Sequence, residues 1–202
     1  MKEPRRWVEF KRVILVTGTP GVGKTSVSRF LASKLGAELV ILGELVKREN
    51  LISGADKKRE TMIVDTVKLS KRLKKIIADS QRDVIVDGHY AVDVVPAEDV
   101  HLAFVLRRDP DELRRLMENR GFSEAKIQEN VAAEILDVCL CDAVEACGVD
   151  KVCEINVSGK EVEEVGEEAV SVLQGKRNPS IGIVDWLGKL NREGRLNEFF
   201  KD

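Results

Sequence analysis

Short runs of consecutive apolar residues alternate along this chain with longer segments in which apolar residues recur every three or four positions. The apolar runs are predicted strands at residues 13–16, 39–42, 84–86, 101–106 and 152–157. Strands that are apolar on consecutive residues are typical of a parallel sheet covered on both faces. The pattern therefore predicts an α/β protein with a five-stranded parallel sheet and helices on both faces.

The segments between the strands have helical periodicity and helix-capping residues. The predicted helices are residues 26–35, 62–79, 110–119, 124–138 and 161–173. Met62 is placed in the second helix because its spacing from Leu69 and Leu73 continues one apolar helical face. Asp109 and Ser123 are the predicted N-caps of the third and fourth helices.

Composition limits the class of protein further. A chain of 202 residues suits one domain with a single sizeable core. With 34% charged residues and a net charge of −2, no general attraction to nucleic acid or anionic lipid is expected, so any RNA contact would be local. No apolar run approaches the roughly 20 residues that span a bilayer. The N-terminus also lacks the apolar region of a signal peptide. The expected location is the cytoplasm, with no membrane partner.

The first candidate for chemistry is the segment G-T-P-G-V-G-K-T at residues 18–25, which follows the first predicted strand. It matches G-x-x-x-x-G-K-[ST], in which glycines let backbone N–H groups curl around a phosphate. Lys24 can reach the β- and γ-phosphates, and the Thr25 hydroxyl can bind Mg²⁺. The alternative, a chance glycine-rich turn, is disfavoured because a strand precedes the segment and a helix follows it. This P-loop predicts binding of a nucleoside triphosphate.

Two further candidates follow the third predicted strand. Asp87 would lie at the carboxyl edge of the sheet, where a carboxylate meets Mg²⁺ in P-loop enzymes, although a turn aspartate before Gly88 is the alternative. His89 could orient or deprotonate a water molecule beside the γ-phosphate, and a structural role is its alternative. His101, the only other histidine, begins an apolar strand and is predicted to be structural.

Arginines are concentrated between residues 107 and 120. Guanidinium groups bind phosphate oxygens in bidentate fashion and can stabilise a transferring phosphoryl group. Arg120 precedes Gly121 and a further helix, an arrangement that suits a hinged lid closing over a nucleotide. For Arg114 and Arg115 the equal alternative is a solvated helix face with i,i+4 ion pairs.

A candidate acceptor site follows the second strand. There Gly43 and Glu44 open a helix that carries Lys47 and Arg48. In a nucleotide kinase the acceptor nucleotide would lie at this position, although the basic pair alone is a weak signal.

Three other features are interpreted structurally. The cysteines at positions 139, 141, 147 and 153 lack the paired C-x₂-C spacing of a zinc site, so mostly buried, reduced thiols are expected. Trp7 and Phe10 are predicted to pack on the first strand. After a linker at 175–179, the tail either folds back and buries Trp186 on its own domain or serves as a docking arm for a partner.

Several segments together carry a resemblance to a known family. They are G-T-P-G-V-G-K-T, L-G-E-L, V-I-V-D-G-H, V-L-R-R-D-P-D-E-L and R-G-F-S-E-A-K-I-Q-E-N-V-A-A-E-I-L-D. In combination they resemble the nuclear-type adenylate kinase family (adenylate kinase isoenzyme 6) in its archaeal form. The resemblance runs through most of residues 12–174, and V-D-W in the tail is similar to archaeal members.

The resemblance implies a nucleoside monophosphate (NMP) kinase-like P-loop domain at 1–174 and a tail at 175–202. Within the domain it implies an acceptor-site insertion at about 41–66 and a short lid at about 119–129. The implied activity is a broad-specificity NMP kinase (ATP + AMP = 2 ADP) that uses Mg²⁺ and also hydrolyses ATP. A role in small-subunit rRNA maturation is implied too, with transient binding of a platform protein of the small ribosomal subunit and local rRNA contact. The alternative is an assembly factor whose ATPase cycle switches partner binding, with kinase activity secondary. A GTP-binding switch is disfavoured because no N-K-x-D motif occurs.

The family's donor-site residues match positions of this chain. The ATP-phosphate loop is matched by Gly21, Gly23, Lys24, Thr25 and Ser26. Arg120 matches the lid arginine that contacts ATP, and Lys160 matches a loop lysine near the adenine. Asp87 and His89 match the D-x-H pair tied to Mg²⁺ and hydrolysis. The resemblance thus implies that Lys24, Asp87, His89 and Arg120 are catalytic and that Thr25 and Asp87 hold Mg²⁺.

The acceptor side matches the family less well. Gly43, Glu44 and Lys47 fall in the acceptor helix, but Lys47 replaces an arginine of the animal members. Leu116 stands where an arginine is usual, and the neighbouring Arg115 is a candidate substitute. These departures leave the acceptor open.

Overall fold

The structure is a computed structural model that describes residues 11–56 and 61–200. The predicted packing of Trp7 and Phe10 lies outside the described residues.

A parallel sheet forms the centre of the described chain. The strands are β1 (Val13–Thr17), β2 (Glu38–Ile41), β3 (Ile52–Asp56), β4 (Thr61–Val64), β5 (Val84–Asp87), β6 (Val100–Arg107) and β7 (Val152–Asn156). Five of them pair in parallel in the order β2-β5-β1-β6-β7, which confirms the predicted sheet. The other two, β3 and β4, form an antiparallel hairpin that the pattern of apolar runs does not predict.

Helices connect these strands. They are α1 (Lys24–Leu35), α2 (Leu42–Arg48), α3 (Thr66–Asp79), α4 (Ala91–Val94), α5 (Pro110–Asn119), α6 (Glu124–Ile135), α7 (Val138–Cys147), α8 (Val162–Leu173), α9 (Trp186–Arg192) and α10 (Leu196–Phe199). A 3₁₀ turn, Val149–Lys151, precedes β7.

Strand β1 shows why the sheet needs helices on both faces. All five of its residues are buried. Ile14 and Val16 pack in one core with α1, α5, α6 and α8. Val13 and Leu15 pack in a second core with α2, α3, α4 and α7. Because successive side chains of a strand point to opposite faces, a run of apolar residues requires two apolar layers.

The predicted helix 62–79 is wrong at its start. Met62 lies in β4 and is 62% exposed. The helix begins only at Thr66, because the side chain of Asp65 caps it by accepting a hydrogen bond from Lys68 N at 3.0 Å. Met62 was wrongly placed in the helix because its apolar spacing was continued across Asp65, the residue that caps the helix.

The predicted helix 124–138 is two helices. Asp137 adopts the left-handed region at φ 57°, which ends the run that begins in α6 and lets α7 start at Val138 in a new direction. Val138 is accordingly 40% exposed rather than part of the α6 core face. The Asp137 carboxylate accepts a hydrogen bond from Arg107 Nη2, and this contact helps to hold the unusual backbone conformation.

The cysteines are free thiols, but they are less buried than predicted. Cys153 is buried, Cys139 and Cys147 are half-buried, and Cys141 is exposed. Within residues 11–56 and 61–200, no group of three or more His, Cys, Asp or Glu side chains is arranged to hold a metal ion. No helix in the same ranges is long and apolar enough to cross a membrane.

The tail folds back onto its own domain, as one of the two interpretations of the sequence predicts. Trp186 is 8% exposed and Phe199 is 3% exposed, and both join the core of α1, α5, α6 and α8. The backbone N–H of Glu154 in β7 donates to Ser180 O at 2.8 Å, so the tail also covers an edge of the sheet.

Candidate nucleotide-binding site

The P-loop lies between β1 and α1, at the carboxyl edge of the sheet. Gly18, Gly21 and Gly23 have φ values of 132°, 100° and 108°, a region that side chains with a Cβ rarely adopt. A Cβ on Gly18 would lie 2.5 Å from Leu106 O, and one on Gly21 would lie 2.9 Å from Leu113 Cδ1. The N-terminus of the twelve-residue helix α1 follows at once, so its N–H groups and dipole face the loop.

Lys24 is held by the carbonyl groups of its own loop. Its Nζ donates to Gly18 O at 2.7 Å and to Thr19 O at 3.0 Å. Burial lowers the pKa of the ammonium group, an effect that nearby Cys139, Asp87 and Glu134 oppose. The Lys24 ammonium group is therefore shielded from water, so its attraction to a phosphate that replaced the two carbonyl oxygens would be weakened little by solvent.

Thr25 and Asp87, the two residues predicted to hold Mg²⁺, are in direct contact. Thr25 Oγ1 donates to Asp87 Oδ2 at 2.6 Å, and Asp87 is only 2% exposed at the end of β5. Burial raises the pKa of Asp87, while the Thr25 hydrogen bond and the Lys24 charge act in the opposite direction. A hydroxyl and a carboxylate beside a phosphate site are hard oxygen donors, which fit Mg²⁺.

His89 lies next to this pair and its side chain is exposed. Its carbonyl oxygen accepts from Thr17 Oγ1 at 3.1 Å, and its ring meets Tyr90 edge-on with centroids 4.7 Å apart. Desolvation by the walls around it, together with the charges of Lys24 and Lys126, lowers the pKa of His89 to about 4. The imidazole is therefore neutral at pH 7, and a neutral imidazole can accept a hydrogen bond from a water molecule.

Most of the predicted ATP-binding residues, although not Lys24 and Thr25, line one groove of 200 Å³ beside the P-loop. Predicted members of this lining are Gly21, Gly23, Ser26, Arg120 and Lys160. Lys160 Nζ is bound to Glu168 Oε2 at 2.8 Å, so this lysine is held by α8. Arg120 is the C-cap residue of α5.

Arg108 also lines the groove, although the sequence does not single it out. Its Nε donates to Val22 O of the P-loop at 3.2 Å, and its Nη1 donates to Glu112 Oε2 at 2.8 Å. The neighbouring Arg107 is 1% exposed and forms ion pairs with Glu134 and Glu154. Arg107 and Arg108 lie at the carboxyl end of β6, a position that indicates a cation facing phosphate. Only the structure shows that Arg108 is the one that faces the groove.

The other candidate arginines lie on the helix surface. Arg114 Nη1 donates to Glu124 Oε1 at 2.9 Å, and Arg115 Nε donates to Asp111 O at 3.3 Å. These contacts favour the surface interpretation of both residues. His101 lies in β6 with an exposed side chain, far along the strand from its carboxyl end.

A buried carboxylate beneath the P-loop is a second residue that the sequence does not single out. Glu134 is 2% exposed and accepts from Thr19 Oγ1 at 2.5 Å. The sequence does contain an indication of this buried carboxylate. Glu134 stands next to Ile135 and three residues after Val131, on the apolar side of α6. An acidic residue at such a position needs buried donors.

The predicted acceptor residues stand apart from this buried arrangement. Gly43, Glu44 and Lys47 are all exposed on α2. Glu44 lines a cavity of 430 Å³ at the open edge of β2, together with Arg48, whereas Gly43 and Lys47 lie outside its described lining. The charge of Glu44 contributes to the raised pKa of Asp87, which indicates that α2 reaches the vicinity of the predicted metal pair.

A P-loop at the carboxyl edge of a five-stranded parallel sheet, with its Thr25 hydrogen-bonded to the buried Asp87, defines an α/β P-loop protein with the NMP kinase-like fold. Residues 14–137 match the family model described as AAA domain. The chain is 35% identical over 176 residues to a Methanocaldococcus jannaschii protein, with 87% of this chain and 93% of that protein covered. It is 39% identical over 187 residues to a Methanosarcina barkeri protein, with 87% and 97% covered. Both relatives bear the name "Putative adenylate kinase". The chain therefore belongs to an adenylate kinase-like family of phosphotransferases.

Solved structures share the fold at much lower identity. A shikimate kinase from Acinetobacter baumannii superposes with a TM-score of 0.61 at 16% identity, covering 84% of this chain and 96% of that one. A thymidylate kinase from Candida albicans superposes with a TM-score of 0.53 at 13% identity, covering 82% and 92%. These similarities support the architecture and not a particular acceptor.

Proposed function

We propose that this protein is a broad-specificity NMP kinase that transfers the γ-phosphoryl group of ATP to AMP or a related monophosphate, and that it also hydrolyses ATP. The cytoplasm is its proposed location. The observation that carries the proposal is the arrangement at the P-loop. Thr25 and Asp87 are joined at 2.6 Å, and Lys24 Nζ lies against the loop that would hold the phosphates.

The donor half of the reaction follows from this arrangement. Backbone N–H groups of the P-loop and α1 would bind the phosphates of ATP, and Lys24 would exchange its two carbonyl partners for β- and γ-phosphate oxygens. Thr25 and Asp87 would hold Mg²⁺, which neutralises charge on the phosphates when bound. Arg108 and Arg120 line the same groove and would stabilise charge on the transferring group.

The acceptor half would use the insertion at 41–66, with Gly43, Glu44 and Lys47 on α2. The lid, residues 119–129, would close over both nucleotides and exclude water. Lys126 of this lid is one of the charges that lower the pKa of His89, so the lid lies near the D-x-H segment. When no acceptor is bound, neutral His89 would orient a water molecule, which accounts for a slow ATPase activity.

A second candidate function is a ribosome-assembly factor whose ATPase cycle switches binding of a small-subunit platform protein. The specific observation that favours it is the surface of α3. Four lysines, Lys68, Lys71, Lys74 and Lys75, are exposed on this helix. In a chain with a net charge of −2, such a local cationic surface suits a contact with an RNA backbone. This supports, as a proposal, a local role in rRNA maturation.

A coupled assay of ATP consumption separates the two functions. Purified protein with Mg²⁺ would be given AMP, GMP, CMP or UMP in turn, and separately the small-subunit platform protein and rRNA. ADP formation that depends on a monophosphate is the result expected of the kinase. ATP consumption that is unchanged by every monophosphate but rises with the ribosomal components would contradict the first proposal and support the second. Lys34→Ala is the matched control for changes at Lys24, because Lys34 lies in the same helix and pairs with Glu167 on the surface.

A further inference from the structure

The tail is joined to the P-loop through one buried side chain. Glu134 Oε2 accepts from Thr19 Oγ1 of the P-loop at 2.5 Å. Its other oxygen, Oε1, accepts from Trp186 Nε1 at 3.2 Å. Trp186 is the first residue of α9 and belongs to a segment, residues 180–199, that we call the strap. Two hydrogen bonds on a single carboxylate therefore connect the strap to the loop that would hold the phosphates.

The same carboxylate belongs to a buried charge cluster with an excess of negative charge. Glu134 Oε1 also accepts from Arg107 Nε at 2.9 Å and from Arg108 N at 3.0 Å. Arg107 Nη1 donates to Glu154 Oε1 at 2.5 Å, and its Nη2 donates to the Asp137 carboxylate. One guanidinium group thus faces three carboxylates, two of them fully buried. The remaining oxygen lone pairs need neutral donors.

The strap supplies two of these neutral donors. Trp186 Nε1 donates to Glu134, and the backbone N–H of Ile183 donates to Glu154 Oε2 at 2.7 Å. A buried carboxylate that loses a donor carries a large desolvation penalty and reorients toward its other partners. Arg107 is fixed at the end of β6, whereas Thr19 lies in a loop. Thr19 is therefore the partner that would move with Glu134.

Thr19 is placed to pass such a movement to the phosphate site. Its hydroxyl is held by Glu134, while its carbonyl oxygen accepts from Lys24 Nζ at 3.0 Å. Lys24 has to leave that carbonyl to bind a phosphate. The orientation of the Thr19 peptide group consequently affects both the position of Lys24 and the direction of the neighbouring loop N–H groups.

A second set of contacts holds the strap against α5. Lys189 Nζ donates to Asp109 Oδ2 at 2.6 Å, and Asp109 is the N-cap of that helix. Arg195 binds both oxygens of Asp111 at 2.9 and 3.0 Å. Because α5 packs beneath the P-loop and ends at Arg120, the strap supports the wall of the nucleotide groove as well as the loop.

We infer that the strap is a positioning element for the donor nucleotide. Trp186, acting through Glu134, fixes Thr19 in the conformation that binds the phosphates of ATP, and nucleotide binding in turn stabilises the strap. The inference rests on the proposed function in that the nucleotide is ATP. It goes beyond that function by assigning the contact between Trp186 of the strap and Glu134 a role in donor affinity, with Trp186 as a positioning residue.

The substitution Trp186→Phe tests the inference, because phenylalanine keeps an aromatic ring but removes the N–H donor. The Kd and KM for Mg·ATP are expected to rise about 3- to 10-fold, because only part of the free energy of one hydrogen bond to a buried carboxylate reaches the ATP site. The KM for AMP should be unchanged. Leu187→Ala, at a neighbouring residue of α9 that is 42% exposed, is the matched control and should change neither constant. A lower melting temperature with an unchanged ATP Kd, or equal changes for ATP and AMP, would overturn the inference.

Tryptophan fluorescence provides a readout that does not depend on turnover. In a Trp7→Phe background, Trp186 is the only tryptophan. Titration with ADP and Mg²⁺ should change its fluorescence emission. The midpoint of this change should equal the midpoint of binding measured by calorimetry. In Thr19→Val the calorimetric binding should weaken and the emission change should be lost. Binding by calorimetry without any emission change would overturn the inference. A protein that showed the coupled change but transferred nothing to AMP would instead contradict the proposed kinase function alone.

Discussion

The P-loop and the predicted acceptor residues of helix α2 lie at the same edge of the sheet, yet the loop is held by buried contacts and those residues are exposed to solvent. At Gly18 a Cβ would meet Leu106 O at 2.5 Å, whereas at Gly43 nothing lies within 4 Å of the same position. Lys24 is bound to two loop carbonyls, while Lys47 is exposed. Under the proposed function, the donor half would therefore need little rearrangement to bind ATP, and the acceptor half would be completed when the proposed lid and insertion close.

This difference has a chemical reason. The donor phosphates and their metal need the same charges and N–H groups whichever acceptor is used, so a fixed site costs no reorganisation during transfer. An acceptor site that closes around its ligand can instead reject water and unsuitable acceptors. The comparison predicts that substitutions in the donor half have the larger effects.

The largest effect is expected for Lys24→Ala, which removes the cation that we propose lies nearest the transferring phosphoryl group. Both AMP phosphorylation and ATP hydrolysis should fall by about 10²–10³-fold, as for the loss of a charge-stabilising donor in other active sites. The measurement is ADP formation with and without AMP, with Lys34→Ala as the control. If Lys24→Ala retained turnover, the proposed role of the P-loop in phosphoryl transfer would be contradicted.

Asp87→Asn should weaken activation by Mg²⁺, with activity reduced by about 10- to 100-fold at limiting metal. The same change should not destabilise the metal-free protein. Because burial raises the pKa of Asp87, its ionised form opposes folding, and stability falls as the pH rises from the ordinary value of 3.8 through the raised value. Asparagine removes this penalty and can still accept the Thr25 hydrogen bond.

Thermal unfolding at pH 7 without metal checks the second part of this prediction. A gain of about 1 kcal/mol would appear as a rise of about 2–4 °C in Tm. Thr25→Ser, which keeps the hydroxyl, is the matched control and should leave both properties close to those of the native protein. A clear loss of stability in Asp87→Asn would mean that the carboxylate charge supports the fold rather than metal binding.

His89→Gly is expected to separate the two activities. Hydrolysis should slow by about tenfold, which corresponds to about 1.4 kcal/mol in the barrier, and AMP phosphorylation should slow less, because we propose that His89 orients the attacking water. With the pKa of His89 lowered to about 4, the imidazole stays neutral from about pH 5 to 8. Titration of His89 should therefore cause no inflection in the pH profile of hydrolysis between about pH 5 and 8. The native protein and the variant should have profiles of the same shape in that interval. Equal losses in both activities would indicate a structural or shared role.

The smallest effect is expected in the acceptor half. Lys47→Ala should raise the KM for AMP by about threefold and leave the KM for ATP unchanged, since an exposed ion pair contributes about 0–1 kcal/mol. Lys74→Ala, at an exposed lysine of α3, is the control and should change neither constant. A loss at Lys47 as large as that at Lys24 would contradict the contrast between a preformed donor half and an open acceptor half.

Local patterns in the sequence were sufficient for the central part of this site. The G-x-x-x-x-G-K-T segment fixes its own backbone through glycines, and Asp87 ends a strand whose apolar neighbours demand burial. Each of these depends on residues adjacent in the chain. The same local logic failed at Met62 and Val138, where a capping aspartate and a left-handed Asp137 interrupted an apolar periodicity.

By itself, the sequence determined the parallel sheet and the P-loop and placed Asp87 at the end of a strand, because these follow from spacing along the chain. Its motifs, through their resemblance to known proteins, also indicated an adenylate kinase-like family. Only the tertiary structure decided which arginine of the 107–108 pair is buried and that the tail reaches the P-loop. Glu134 is joined to Thr19 and Trp186, residues 115 and 52 positions away. A glutamate in an apolar helix face signals that buried donors are needed, but packing of distant segments selects the donors.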